Sequence, residues 1–168
     1  KEWLYRWAMH YETGEKLSEE LIIRIREAAA FNEGYACNRQ LGFGFLDMAW
    51  HTMTHPAGIP VDEFERKAMS ATELFQAAEG TNMSCSFTHL FGGDYAAGYY
   101  GYKWAEVLDA DAFYHFRDSG LFNRDVADSF RRNILERGGS DKPMNLYVRF
   151  RGQEPSLEPF LDRSGLKN

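Results

Sequence analysis

From Ser18 to Asp162 the apolar residues of this chain return at the three- and four-residue spacing of an α-helix, and most runs are closed by glycine, proline or an asparagine cap. A chain patterned this way cannot settle into a half-buried sheet, so an all-α, multi-helix fold is expected. Ser18, with Glu19 and Glu20 behind it, opens a helix whose buried stripe is Leu21, Ile22, Ile25, Ala28 and Ala29 and which runs to about Phe31. A second helix starts near Glu33, carries Tyr35, Leu41, Phe45, Met48 and Ala49, and stops at His55-Pro56. Gly42 and Gly44 lower its propensity and mark a close helix contact. A third helix is expected over residues 61–77. Helical pattern then lapses until about Tyr95, leaving one long irregular glycine-containing loop over about residues 78–94, with at most a short strand inside it.

The pattern resumes over residues 95–116, where Trp104, Val107, Leu108, Asp111, Ala112 and His115 offer overlapping faces, and Ser119-Gly120 closes it. Asn123 caps the next helix, with Val126, Phe130, Ile134 and Leu135 on one side and Gly138-Gly139 at its end. Two short helices follow near residues 142–150 and 156–162. At the other end of the chain, Trp3, Leu4, Trp7, Ala8 and Tyr11 read as the tail of a helix that Thr13-Gly14 terminates.

With 168 residues, 44% of them apolar and 15% aromatic, there is enough material to bury one core, and residues 1–168 are expected to form a single helical domain. The net charge of −6 is scattered along the chain, which excludes a nucleic-acid footprint and a basic membrane surface. No apolar run approaches the length of a bilayer span and no leader pattern opens the chain, so a cytoplasmic location is the expectation. Cys37 and Cys85 are read as a reduced pair of small core residues rather than a disulfide.

Three constellations could carry chemistry. His51-Thr-Met-Thr-His55 sets two imidazoles at the i, i+4 spacing of helical zinc ligands. Thr52 stands where a carboxylate base would be needed, and no third ligand is evident, so two helix-end histidines beside Pro56 are the better account. Cys85 and His89 share a loop, yet a catalytic Cys and His are brought together by the fold rather than by nearness in sequence. The third is the stretch from His89 to Tyr102, His-Leu-Phe-Gly-Gly-Asp-Tyr-Ala-Ala-Gly-Tyr-Tyr-Gly-Tyr. Tyr95, Tyr99 and Tyr102 fall at i, i+4 and i+7, so a helix starting near Tyr95 would point all three phenols one way. An aromatic core stripe would use the same spacing, but three hydroxyls in register supply three donors that a core has no use for. Gly92, Gly93, Gly98 and Gly101 clear side chains from around them, so another backbone could approach. A peptide or carbonyl site and a core stripe both remain open on the spacing alone.

On this block the chain resembles the zinc metallopeptidases that include thimet oligopeptidase, neurolysin, oligopeptidase A and the bacterial peptidyl-dipeptidases. The resemblance extends through His10-Tyr-Glu-Thr-Gly-Glu15, Phe31-Asn-Glu-Gly34, Leu46-Asp-Met48 with Trp50-His51, Trp104-Ala-Glu106, Ile134-Leu-Glu-Arg-Gly-Gly-Ser140, Phe150-Arg-Gly152 and Arg163-Ser-Gly-Leu166. It implies a largely helical, neurolysin-like fold of which this chain is the C-terminal portion, with the His-Glu-x-x-His zinc motif and a further glutamate ligand lying upstream. It implies Tyr102, His89 and Tyr95 as catalytic residues facing the scissile peptide, with Tyr102 stabilising the oxyanion. Gly92, Gly93, Asp94 and Tyr99 would bind substrate, and Asp94 stands where bacterial peptidyl-dipeptidases usually carry glycine and the oligopeptidases shorten the loop. The cofactor implied for the full-length protein is zinc, with none held by these residues themselves. The partners are a short peptide substrate and the zinc-binding part of the same polypeptide, with non-physiological self-association through apolar faces that part would cover. A free-standing helical interaction module without catalysis is the alternative.

Overall fold

The computed structural model describes residues 2–167. Among them the regular structure is helical, and the nearest approach to a strand is one isolated antiparallel bridge between Met9 and Lys16. The described helices are α1 (Glu2–Trp7), α2 (Glu19–Ala29), α3 (Glu33–His51), α4 (Val61–Met69), α5 (Met83–Ser86), α6 (Gly101–Ser119), α7 (Arg124–Phe130), α8 (Pro143–Arg151) and α9 (Glu158–Arg163). None is long and apolar enough to cross a membrane. The chain divides into two compact units, one ending at Glu33 and the other beginning at Gly34.

In the first unit, α1 ends at Trp7 rather than running to Thr13. The chain there turns back on itself: His10 N–H donates to the Glu15 carbonyl at 2.8 Å and Gly14 N–H to the His10 carbonyl at 2.9 Å. The His10 imidazole accepts from Thr13 N–H at 3.2 Å, and Gly14 closes the turn in the left-handed region at φ 70°. Gly14 therefore closes a bridged turn, not a helix; Trp3's place in the expected stripe falls outside what is described. Ser18 caps α2 as its sequence indicates, its hydroxyl accepting from Leu21 N–H at 3.2 Å. Of the expected α2 stripe only Ile22 is buried, while Leu21 and Ile25 are exposed.

The second unit carries the core and the candidate site. On α3 the buried positions are Gly42, Phe43, Gly44, Leu46 and Asp47, whereas the larger members of the expected stripe, Tyr35, Leu41 and Phe45, are exposed. The two glycines decide which face turns inward. A Cβ on Gly42 would stand 2.6 Å from Thr72 Oγ1, and one on Gly44 would stand 3.8 Å from Tyr100 Cα, so the chain on either side packs directly on the helix backbone. The helix also stops at His51, short of the expected His55-Pro56, and His55 lies off it. Helix α4 ends at Met69, earlier than expected, where the Thr72 and Glu73 amides turn back onto the Met69 carbonyl.

The segment expected as an irregular loop over about residues 78–94 is instead a chain of short helical turns: α5, then 3₁₀ turns at Thr88–Leu90 and Gly93–Tyr95. Local capping drives this, since the Asn82 side chain accepts from Cys85 N–H at 3.0 Å. Helix α6 starts at Gly101, not near Tyr95, and ends at Gly120 with φ 97°. Asn123 caps α7 by accepting from Asp125 N–H at 2.9 Å, and α7 passes into a π-helical turn at Arg131–Leu135. Val107 and Ala110 of α6 pack with Phe160 of α9 as the centre of a buried cluster. Both described cysteines are free thiols, but not core residues as expected: Cys37 is half-buried and Cys85, on the short α5, is exposed.

Candidate functional site

Two carboxylates hold the segment that leads into the His89 to Tyr102 stretch and the turn within it. Glu65 of α4 accepts from Met83 N–H at 2.8 Å, Ser84 N–H at 2.7 Å and Ser84 Oγ at 2.8 Å, anchoring the start of α5. The Trp50 indole of α3 donates to the same Ser84 hydroxyl at 2.9 Å. Further along, Asp47 of α3 is fully buried, with Oδ1 accepting from Ala97 N–H at 3.0 Å and Oδ2 from Tyr99 N–H at 3.0 Å. Between these anchors Leu90 is fully buried, and Gly92 N–H donates to the Thr88 carbonyl at 2.7 Å. A Cβ on Gly92 would meet that carbonyl oxygen at 2.9 Å, and Gly93 has φ 78°, so both glycines are required by the backbone path.

The result is a cluster of rings. His89 lies 5.1 Å from Tyr95, 5.7 Å from Tyr99 and 6.4 Å from Tyr102, centroid to centroid. Tyr95 and Tyr102 stack at 5.1 Å with 18° between their planes, and Tyr99 approaches Tyr102 at 5.2 Å. The three tyrosines thus converge without sharing a helix; a 3₁₀ turn, a reversal at Ala97 and the start of α6 bring them together. Their exposures differ in a way that sorts them. Tyr99 is 8% exposed, its hydroxyl accepting from Gln40 Nε2 at 3.1 Å and its ring lying against Phe43 and Phe87. It forms the floor of the cluster rather than its surface. Tyr95 and Tyr102 are 42% and 38% exposed, and His89, stacked on Phe87 at 5.0 Å, is half-buried beside them. The Tyr95 hydroxyl as hydrogen-bond partner, followed by burial and the two neighbouring phenols, pushes the Tyr102 pKa up to about 12. Tyr102 therefore keeps its proton at neutral pH and can donate it to a hydrogen bond.

Chemically this is a small patch of hydrogen-bonding groups, two phenols and one imidazole, on a packed aromatic base. Asp94, Gly92 and Gly93 stand at its exposed rim. The other two constellations do not assemble. His51 Nδ1 lies 2.7 Å from the Asp47 backbone carbonyl and 3.0 Å from its Oδ1, and His55 is beyond the end of the helix. Among the described residues no three His, Cys, Asp or Glu side chains are placed to hold a metal ion. Cys85 lies on α5, while the His89 ring is packed among Phe87 and the three tyrosines. A cavity of about 520 Å³ opens between α3, α4 and α5, lined by Arg39, Phe43, Glu65, Met69 and Phe75 among others, and His89, Tyr95 and Tyr102 do not line it.

Sequence reasoning passed over Asp47, Glu65 and Gln40. The signal that could have found Asp47 is its position: a carboxylate between Leu46 and Met48, four residues from Phe43, is set on a buried face, where an aspartate is almost never left without partners.

A model of Peptidase family M3 matches residues 1–166. Oligopeptidase A of Escherichia coli K12 is 42% identical over 159 residues, covering 94% of this chain and 23% of that protein. Dipeptidyl carboxypeptidase of Salmonella typhimurium is 40% identical over 163 residues, covering 96% of this chain and 24% of its own length. Saccharolysin of Saccharomyces cerevisiae is 31% identical over 166 residues, 98% of this chain and 23% of its length. The chain thus spans about a quarter of the curated relatives it matches, and with a family match that takes in all the residues of the ring cluster, it belongs to Peptidase family M3.

Proposed function

We propose that these residues form the substrate-binding and oxyanion-stabilising wall of a zinc-dependent oligopeptidase or peptidyl-dipeptidase that hydrolyses short peptides. The observation that carries this reading is the exposed pair of stacked phenols beside His89, one of them with its pKa pushed up to about 12. A donor that resists ionisation suits a carbonyl oxygen that gains negative charge as a peptide bond is attacked. In this reading Tyr102 donates to that oxygen, while His89 and Tyr95 hold the carbonyls and backbone of the bound peptide. The glycine pair at the rim lets the peptide main chain approach, with Asp94 beside it, and Tyr99 supports both partners from below. Zinc, when bound in the whole protein, supplies an activated water and polarises the same carbonyl. Its ligands are proposed to lie in the part of the relatives' length that this chain does not span, because the described residues offer no three-ligand cluster.

Replacing a single oxyanion donor typically costs about 10² to 10³ in turnover. In the full-length enzyme Tyr102→Phe should lower kcat by that order with zinc content unchanged, as read by peptide hydrolysis and metal analysis of the same preparation. A near-normal kcat would remove Tyr102 from this role. The isolated 168 residues should bind no stoichiometric zinc and cleave no peptide. One zinc per chain in that polypeptide would return His51 and His55 to consideration.

A further inference from the structure

Asp47 stands out among the carboxylates of the second unit because its side chain is fully buried and has no Lys or Arg among its hydrogen-bond or ion-pair partners. Its partners are two backbone amides fifty and fifty-two residues away in sequence, and the His51 ring one turn along α3 at 3.0 Å. Burying a carboxylate is costly unless its acceptor sites are filled, so a charge in this position is retained only with a set of donors held against it. Those donors are the N–H groups of Ala97 and Tyr99.

Ala97 is the second observation. It has φ 57°, a left-handed conformation that side-chain-bearing residues rarely adopt and that persists only where the surroundings impose it. Ala97 sits two residues after Tyr95 and five before Tyr102, at the point where the chain reverses between them. Without that reversal the Tyr95 ring would not come back to stack on Tyr102 at 5.1 Å. Tyr100, just past the turn, packs against Gly44, and Gln40 holds the Tyr99 hydroxyl from the same helix. Three successive turns of α3 thus face the turn, and Asp47 is the one that grips its main chain.

We propose that Asp47 is a positioning residue for the catalytic tyrosines: its carboxylate locks Ala97 and Tyr99 so that the Tyr95 and Tyr102 hydroxyls meet the substrate at a fixed spacing. This rests on the oxyanion role proposed for Tyr102. Asp47 is buried and touches no exposed atom of the ring cluster, so its influence runs through the backbone of the turn.

The test is Asp47→Asn in the full-length enzyme, alone and combined with Tyr102→Phe. Asparagine keeps the shape but turns a donor toward one of the two amides, so one bond is lost. A displacement of about 1 Å at a reacting group can cost on the order of 10²-fold, and the single variant should lose about 10- to 100-fold in kcat with KM little changed and zinc content intact. If Asp47 acts through the tyrosines, adding Asp47→Asn to Tyr102→Phe should cost clearly less than Asp47→Asn costs the unmodified enzyme, the remainder being what it does through Tyr95. The same loss in both backgrounds, or a normal kcat for Asp47→Asn when Tyr102→Phe is impaired, would overturn the positioning role and leave the Tyr102 reading standing. A normal kcat for Tyr102→Phe would sink that reading first, and the positioning role with it. Should Asp47→Asn fail to fold, amide hydrogen exchange in the unmodified enzyme decides: strong protection at both Ala97 and Tyr99 supports the proposal, and exchange at the rate of an open chain at either overturns it.

Discussion

Tyr102 is useful as a donor because of what lies against it. Its phenol is more than a third exposed, yet its pKa is pushed up to about 12, first by the hydrogen bond with Tyr95 and then by burial and the neighbouring phenols. The sign follows from the partners: losing the proton gives up the hydrogen bond with Tyr95 and, at the pH where it happens, meets neighbouring phenols that are ionising too, so the neutral hydroxyl is favoured. Removing the Tyr95 hydroxyl removes the first-named cause. Tyr95→Phe should therefore bring the Tyr102 pKa down from about 12 toward its ordinary value of 10.0, while leaving the stacked rings in place. A pH titration of tyrosine ring carbons by NMR reads this directly, and an unchanged Tyr102 midpoint would show that the hydrogen bond is not the cause. Asp47 acts from the other side, its carboxyl oxygens accepting from two main-chain amides with the His51 ring beside them, so one short segment presents phenols outside and is gripped by a buried acceptor within.

At the scale of elements, α3 shows what could and could not be read from residue order. Its existence was legible from periodicity, and its close contacts from Gly42 and Gly44, which meet Thr72 and Tyr100. Its buried face was not, because side-chain size misleads there: Tyr35, Leu41 and Phe45 have the size of core residues and are exposed, while the glycines and Asp47 turn inward. A face whose burial is set by backbone approach carries few large apolar residues, so hydrophobic spacing points away from it. The turns from α5 to Tyr95 were illegible for a related reason. Each is too short for a periodic pattern, and each is held by contacts distant in sequence, Glu65 on residues 83 and 84 and Asp47 on residues 97 and 99. The spacing of Tyr95, Tyr99 and Tyr102 brings them together only on a helix that does not form there; the same residues meet by a different path.

In the molecule as a whole, the second unit is closed by another buried carboxylate, further along the helix that Tyr102 opens. Asp111 of α6 is fully buried and accepts from the Tyr147 hydroxyl at 2.6 Å and from Arg151 Nε at 3.0 Å, tying α6 to the middle and the C-terminal end of α8. Burial, and then the Asp111 carboxylate, raise the Tyr147 pKa above its ordinary value, so that hydroxyl stays a donor. Here, unlike at Asp47, the balancing charge is a guanidinium, and the two sites should respond differently to loss of a partner. Arg151→Met keeps an unbranched apolar stem but strands a buried anion, which typically costs about 3–5 kcal/mol. The expected outcome is a lower urea midpoint for the whole protein, with faster hydrogen exchange confined to α6 and α8 locating the loss. Adding Asp111→Asn to Arg151→Met removes the stranded charge while leaving an oxygen for Tyr147, so the double variant should regain most of that stability. An equal loss in both variants would mean that packing around Arg151, rather than the uncompensated charge, holds α6 to α8. Hydrolysis by Arg151→Met at a temperature where it stays folded should be near normal, because neither Asp111 nor Arg151 contacts the His89, Tyr95 and Tyr102 rings.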